Sequence, residues 1–196
     1  MISAAKGQEV LSREFVRTLA AQFDADFAPK YKQGEAQLKA WLQARFREGA
    51  RYLDKPHFVE IAKWKSQRPL RHYESNDDDL VQEVTALAFA ARRDDLRLRV
   101  LTLLNGVGVP VASTILHFAF PDRYPIMDIR AVTTLTRLGL WTGPDPAQPG
   151  FTGFSVEDWQ AYTDLMRDHA KRLGVTLREL DKALWKSDEA RTRGRS

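Results

Sequence analysis

Apolar residues recur along this chain at the three- and four-residue spacing of amphipathic α-helices. One clear stripe consists of Leu38, Trp41, Leu42 and Phe46. Such a stripe places its side chains on one face of a helix, where they can be buried together. No stretch shows the strict apolar–polar alternation of a half-buried strand. The pattern therefore predicts an all-α protein of about nine helices.

Capping residues and loop-forming residues mark where these helices begin and end. Asn76 precedes three aspartates and is a favoured residue for capping a helix start. Ser155 begins a sequence typical of a capping box, and Gly174 suits the end of the helix that follows. Residues 24–33 read as a loop, as do residues 139–153, which are rich in glycine and proline.

The helices predict one domain over residues 1–186, organised in two lobes. The first lobe, at about 77–138, contains a glycine turn and is called the hairpin lobe. The second lobe combines the N-terminal helices with residues 155–186. Residues 187–196 carry three arginines and predict a basic, disordered tail.

The centre of the chain, residues 96–138, predicts a helix, a glycine turn, a second helix and then a carboxylate. Gly106 and Gly108 flank one apolar residue, Val107, which predicts a tight turn anchored in the core. Glycines also allow a phosphate to approach the backbone, and the N-terminus of the next helix presents unpaired N–H groups. The alternative is a simple corner between two helices. Asp128 then stands where a third helix begins, as an N-cap residue would.

A second unusual stretch, residues 63–73, is called the basic segment. It contains four Lys or Arg residues, one histidine and two aromatic residues. Its cations predict contacts with a phosphate backbone, and its aromatic rings predict stacking on a base. The alternative is a solvated basic turn with Trp64 in the core. The predicted DNA-contacting cations are Lys63, Lys65, Arg68 and Arg71, and the aromatic residues are Trp64 and Tyr73.

Composition narrows the classes of function. The chain has no cysteine, which excludes disulfides, thiolate metal sites and cysteine nucleophiles. The net charge of +4 is compatible with nucleic-acid binding. No apolar run is long enough to cross a membrane, and we expect a cytoplasmic location without membrane contact. The four histidines show no metal-ligand spacing, so we expect no metal and no cofactor.

The central stretch resembles the helix-hairpin-helix DNA glycosylase superfamily, endonuclease III and its relatives. Members of that family have a Leu-x-Gly-hydrophobic-Gly turn, a small residue in the next helix and an aspartate about twenty positions later. The corresponding positions here are Leu104, Gly106, Gly108, Ala112 and Asp128, which lies twenty positions after Gly108. Residues 106–113, 128–131 and 177–185, with Tyr124, also resemble a group of bacterial proteins, a likeness that implies no activity.

The resemblance implies roles for several residues. The hairpin of Gly106, Val107 and Gly108 would grip a DNA phosphate. Asp128 would act at the sugar carbon, where breaking a glycosidic bond creates positive charge. Apart from the resemblance, the position of Arg130 predicts that it binds a phosphate or pairs with an acid elsewhere. Tyr124 and Trp141 complete the predicted lining of a base pocket, and the alternative for both is packing in the core.

The chain also departs from the family pattern. Members that cleave the strand carry a lysine two positions after the second glycine, where this chain has Pro110. No lysine occurs between Lys65 and Lys171, and the iron–sulfur cysteines of some relatives are absent. These departures argue against a lyase step, so what the resemblance implies is a DNA-binding protein that would act on duplex DNA as a monofunctional glycosylase. The alternative is a non-catalytic module, for DNA binding or for protein interaction, that keeps the glycosylase fold.

Overall fold

Ten α-helices make up the computed structural model, which describes residues 10–26 and 29–193. Within these ranges no residue lies in a β-strand, so the prediction of an all-α protein with about nine helices is confirmed. In chain order the helices are α1 (Arg13–Asp26), α2 (Pro29–Arg47), α3 (Lys55–Lys65), α4 (Leu70–Glu74), α5 (Asp78–Ala90), α6 (Asp94–Leu101), α7 (Val109–Ala119), α8 (Ile129–Arg137), α9 (Val156–Leu173) and α10 (Leu177–Arg193).

Helix α7 lies at the centre of the fold. All of its residues except Pro110 are buried, because its sequence is apolar on nearly every side. It contacts α2, α3, α6 and α9. Buried side chains from Val16 to Leu184 form one continuous core around it.

Helix α10 closes the fold against α1, α8 and α9, and it is longer than predicted. The prediction of a disordered tail from residue 187 onward is wrong for residues 187–193, because these residues continue the helix. Residues 194–196 lie outside the described part. The reason is ion pairing. The Lys186 ammonium lies 2.7 Å from a carboxylate oxygen of Glu189 and also pairs with Asp26. Charged side chains that the sequence predicts to be solvated, such as Lys186 and Glu189, therefore form ion pairs with each other in the fold.

Two further boundaries differ from the predictions. The loop expected at 24–33 is mostly helical, since α1 continues to Asp26 and α2 begins at Pro29. Residues 27 and 28 lie outside the described part. Asn76 does not cap α5, because the N-cap position is Asp77.

Other predicted boundaries are confirmed. The Ser155 side chain accepts from the Asp158 backbone in a capping box, and Gly174 ends α9 with a left-handed backbone, φ 61°. Residues 139–153 contain no helix beyond the end of α8. No helix in the described part of the chain is long and apolar enough to span a bilayer.

Candidate functional site

Only one of the two glycines in the turn has the backbone conformation that favours glycine. Gly106 has φ +82°, a backbone conformation that favours glycine. Gly108 has φ −92° and ψ 178°, which any residue adopts, and it is the N-cap of α7. Val107 between them is buried, so it anchors the turn in the core. Among the described residues, no backbone carbonyl pairs with the N–H of Gly108 or Val109.

Asn76 fixes the hairpin in place. Its side-chain oxygen accepts from the N–H of Asn105 at 2.8 Å, and its side-chain nitrogen donates to the Asn105 carbonyl at 3.2 Å. The same nitrogen donates to the carbonyl of Tyr73 at 3.0 Å. Asn76 is 1% exposed, so these bonds are shielded from water and join the hairpin to the end of α4.

The basic segment lies against this hairpin. A Cβ atom on Gly106 would come within 2.9 Å of the His72 Cβ and 3.0 Å of the Tyr73 ring. Arg68 and Arg71 are exposed on the same segment. Lys63 is partly occupied, because its ammonium lies 3.3 Å from the carboxylate of Glu60. The tertiary fold therefore joins two features that are about thirty residues apart in sequence.

Asp128 is held by two donors at the start of α8. One carboxylate oxygen accepts from the backbone N–H of Arg130 at 2.9 Å, which makes Asp128 the N-cap residue that the sequence predicts. The other accepts from the ammonium of Lys65 at 2.5 Å. Burial acts to raise the pKa of the Asp128 carboxyl, but Lys65 and the Arg130 N–H together lower that pKa below its ordinary value. The residue is therefore an anion at neutral pH.

The contact between Lys65 and Asp128 was not predicted from the sequence. The sequence separates Lys65 from Asp128 by 63 residues, and Lys65 is the last residue of α3. Its side chain is only 11% exposed, so it is not a free cation on a DNA-facing surface. The ammonium that was expected to contact a phosphate is therefore paired with the carboxylate of Asp128.

Asp128 and Lys65 line a cavity of about 190 Å³. This is smaller than a typical drug-sized pocket of about 300–1,000 Å³, so it has room only for a small group. Three aromatic rings and four charged side chains surround it. The lining residues are Phe23, Trp64, Lys65, Ile126, Asp128, Arg178, Asp181 and Trp185.

Arg178 and Asp181 form the charged wall on α10. Arg178 donates to both carboxylate oxygens of Glu35, at 3.0 and 2.7 Å, and also to Oδ2 of Asp181. Asp181 is 3% exposed. Burial raises the pKa of Asp181 to about 6, the negative charge of Asp128 adds to the rise, and Arg178 and Lys65 oppose it.

Arg178 connects this wall to charged side chains of α2. Lys39 donates to Glu35 at 2.8 Å and lies 2.9 Å from Nε2 of His117. Nδ1 of that ring lies 2.7 Å from the Tyr124 carbonyl, so it carries the proton and Nε2 accepts from Lys39. Burial, with the charges of Lys39 and Arg178, lowers the pKa of His117 to about 3. His117 is therefore a neutral structural link between α7 and α2.

Three predicted base-contacting residues lie away from the cavity. Tyr73 and Tyr124 are fully buried, and Tyr124 donates to Asp94 at 2.7 Å. Trp141 is 7% exposed and its ring nitrogen donates to the carbonyl of Pro144 at 3.0 Å. All three rings are packed in the core, as the alternative for Tyr124 and Trp141 predicts, and none of them lines this cavity. Of the four aromatic residues predicted for the base pocket, Trp64 lines the cavity.

Arg130 is also engaged. Its guanidinium lies 2.9 Å from the carboxylate of Asp188 and 5.0 Å from the ring of Trp185. This matches the ion-pair alternative for Arg130 rather than a free phosphate contact. Through Trp185, Arg130 helps to position one aromatic wall of the cavity.

The sequence-based predictions missed Phe23, Arg178, Asp181 and Trp185 as cavity residues. One signal was available on α10, because Arg178, Asp181 and Trp185 follow i, i+3 and i+7 spacing and so share one helix face. An aspartate on a helix face that is buried is costly to desolvate and often marks a site. Phe23 gave no comparable signal.

No family model, curated protein or solved structure matches this chain. In the described residues no cluster of three or more histidine, aspartate or glutamate side chains is arranged to hold a metal ion. The functional case therefore comes from the cavity, the hairpin and the segment that joins them.

Proposed function

We propose that this protein is a DNA glycosylase that hydrolyses the N-glycosidic bond of a damaged or modified base. The observation that carries the proposal is the location of Asp128. Its side chain lines a small cavity together with Phe23, Trp64 and Trp185. Aromatic rings suit a flat base, and a fixed carboxylate suits the positive charge that develops on the sugar.

The hairpin and the basic segment support DNA as the substrate. Arg68 and Arg71 are exposed beside a turn whose N–H groups begin α7. The same segment supplies Lys65 and Trp64 to the cavity. A DNA backbone bound at the hairpin would therefore lie next to the basic segment, which also forms part of the cavity wall. Such closeness is what extrusion of a base into the cavity requires.

In the proposed reaction the extruded base enters the cavity and stacks on the rings. The bond from C1′ to the base nitrogen lengthens, and Asp128 stabilises the positive charge on the sugar. A water then adds to C1′ and leaves an abasic site. Lys65 keeps Asp128 ionised, and its ammonium is held in a hydrogen bond, which disfavours its use as an amine nucleophile.

One observation favours the second candidate, a non-catalytic DNA-binding module. The Lys65 ammonium already neutralises Asp128, so this ion pair also connects α3 to the start of α8. A carboxylate neutralised by an immobile cation stabilises a sugar cation less effectively. This candidate predicts DNA binding without any product.

An assay of base excision from duplex DNA tests the proposed function. Duplexes that each carry one damaged or modified base are incubated with the protein, then treated with hot alkali and assayed for strand breaks. We expect abasic product from at least one duplex, without strand breaks before the alkali step. Borohydride added during the reaction traps no adduct, because the mechanism has no Schiff base. An adduct that disappears in Lys65→Met would instead make Lys65 the nucleophile, and no product on any duplex would leave only the non-catalytic module.

DNA affinity should fall steeply with salt, because each neutralised phosphate releases counterions. Three phosphate contacts give a slope of about +2.7 in log Kd against log salt, or a roughly 40-fold loss of affinity between about 50 and 200 mM. Arg71→Ala should reduce the slope by about one. Arg92→Ala is the matched control, since Arg92 is exposed at the opposite end of α6 from the hairpin. Equal slopes for the two variants would show that the basic segment does not contact DNA.

A further inference from the structure

The cavity contains a second carboxylate, Asp181, whose surroundings differ from those of Asp128. Asp181 is 3% exposed, and its Oδ2 accepts from Arg178. Its Oδ1 has no hydrogen-bond partner within the described ranges, and the residue lines the cavity. Asp128, in contrast, has both oxygens occupied by donors.

We propose that Asp181 is the general acid of this site and donates a proton from Oδ1 to the departing base. The assignment rests on the proposed function. It names the chemical class of substrate as well: a neutral nucleobase, whose departure as an anion is slow unless a proton is supplied. Asp128 then stabilises the sugar and Asp181 serves the leaving group.

The two carboxylates are differentiated by their environments. Burial raises the pKa of Asp181 to about 6, whereas Lys65 and the Arg130 N–H hold the pKa of Asp128 below its ordinary value. A pair of acids separated in this way divides into one proton donor and one anion. Asp181 is therefore the carboxyl of the pair that takes up a proton more readily near neutral pH.

Neighbouring helices surround Asp181 with a defined set of groups. Arg178 lies on the same helix, Lys65 ends α3, Asp128 caps α8, and the buried Tyr162 hydroxyl faces it from α9. Glu35 of α2 binds the other edge of Arg178. Helix α1 contributes Phe23 to the cavity, while its carboxylates Asp24 and Asp26 pair with Lys182 and Lys186.

Departure of the neutral base takes up one proton, and the addition of water to the sugar releases one. The bond between C1′ and the base nitrogen breaks, and its electron pair stays on the base. The proton leaves Oδ1 of Asp181 and joins the base. A water oxygen bonds to C1′, and the proton that this water releases restores Asp181 through solvent.

The test compares leaving groups. Single-turnover excision is measured between pH 5 and 9 on duplexes carrying a neutral base, such as hypoxanthine or uracil, and on a duplex carrying 7-methylguanine, whose ring is already cationic. For neutral bases we expect the wild-type rate to fall about tenfold per pH unit above pH 6. At pH 5–6, Asp181→Asn should lower that rate by about a hundredfold, to the level that wild type approaches near about pH 8, and it should abolish the pH dependence. Excision of 7-methylguanine should be nearly unchanged in Asp181→Asn.

Glu35→Gln is the structural control, because it disturbs Arg178 without adding or removing a cavity group. It should keep the pH dependence, and Asp181→Glu should restore part of it. The wild-type pH profile is decisive even if Asp181→Asn fails to fold. Excision confined to cationic bases, a flat wild-type profile, or equal losses on both classes of base would overturn the assignment. No product from wild type on any duplex would overturn the proposed function itself, and this assignment with it.

Discussion

Asp128→Asn should abolish base excision, lowering the single-turnover rate by at least about a hundredfold. The amide still accepts from the Arg130 N–H, so the start of α8 is preserved. The negative charge that would stabilise the sugar is lost, and the Lys65 ammonium is left without its carboxylate. DNA affinity should be unchanged or slightly higher, because one charge that repels phosphate is removed.

Asp188→Asn is the matched control for this experiment. Asp188 also pairs with a cation, Arg130, and its side chain is 21% exposed against 22% for Asp128. Asp188 does not line the cavity that contains Asp128. The control should lose a similar ion pair and retain excision. Full activity in Asp128→Asn would move the chemistry to another residue, and equal losses in both variants would indicate a general effect on stability.

Gly106→Ala should destabilise the protein by about 3 kcal/mol, with a fall in Tm of roughly 10 °C. Two costs combine. The backbone at φ +82° disfavours any side chain, and the new Cβ would meet the His72 Cβ at 2.9 Å and the Tyr73 ring at 3.0 Å. Because Tyr73 is fully buried, its ring has little room to move. Thermal unfolding measures the loss.

Gly108→Ala separates folding from binding. Its backbone is ordinary, and the nearest atom to a new Cβ is the Pro110 Cδ at 3.9 Å. Stability should therefore change by less than about 0.5 kcal/mol. If a phosphate contacts the start of α7, the added methyl group should still weaken DNA binding. Unchanged affinity in Gly108→Ala would exclude phosphate contact at the hairpin, and unchanged stability in Gly106→Ala would contradict the turn described above.

Local signals predicted much of the fold. The stripe of Leu38, Trp41 and Leu42 and the capping box at Ser155 depend only on residues within a few positions of each other. Such signals act through backbone hydrogen bonds and helix faces, which a sequence displays directly. The tail beyond residue 186 shows where they fail. Its charges predict solvation, yet Lys186 and Glu189 are paired and buried.

Some features of the candidate site likewise follow from local sequence, and others depend on how the helices pack. The sequence by itself determined the glycine turn and the place of Asp128 at a helix start, since both follow from backbone conformation and capping. Only the tertiary structure decided that Lys65 meets Asp128 and that Asp181 faces the same cavity. Ion pairing and burial depend on distances between helices far apart in the chain. A linear pattern carries no such distances, so the pKa of Asp181 near 6 and the cavity itself emerge only when the helices pack.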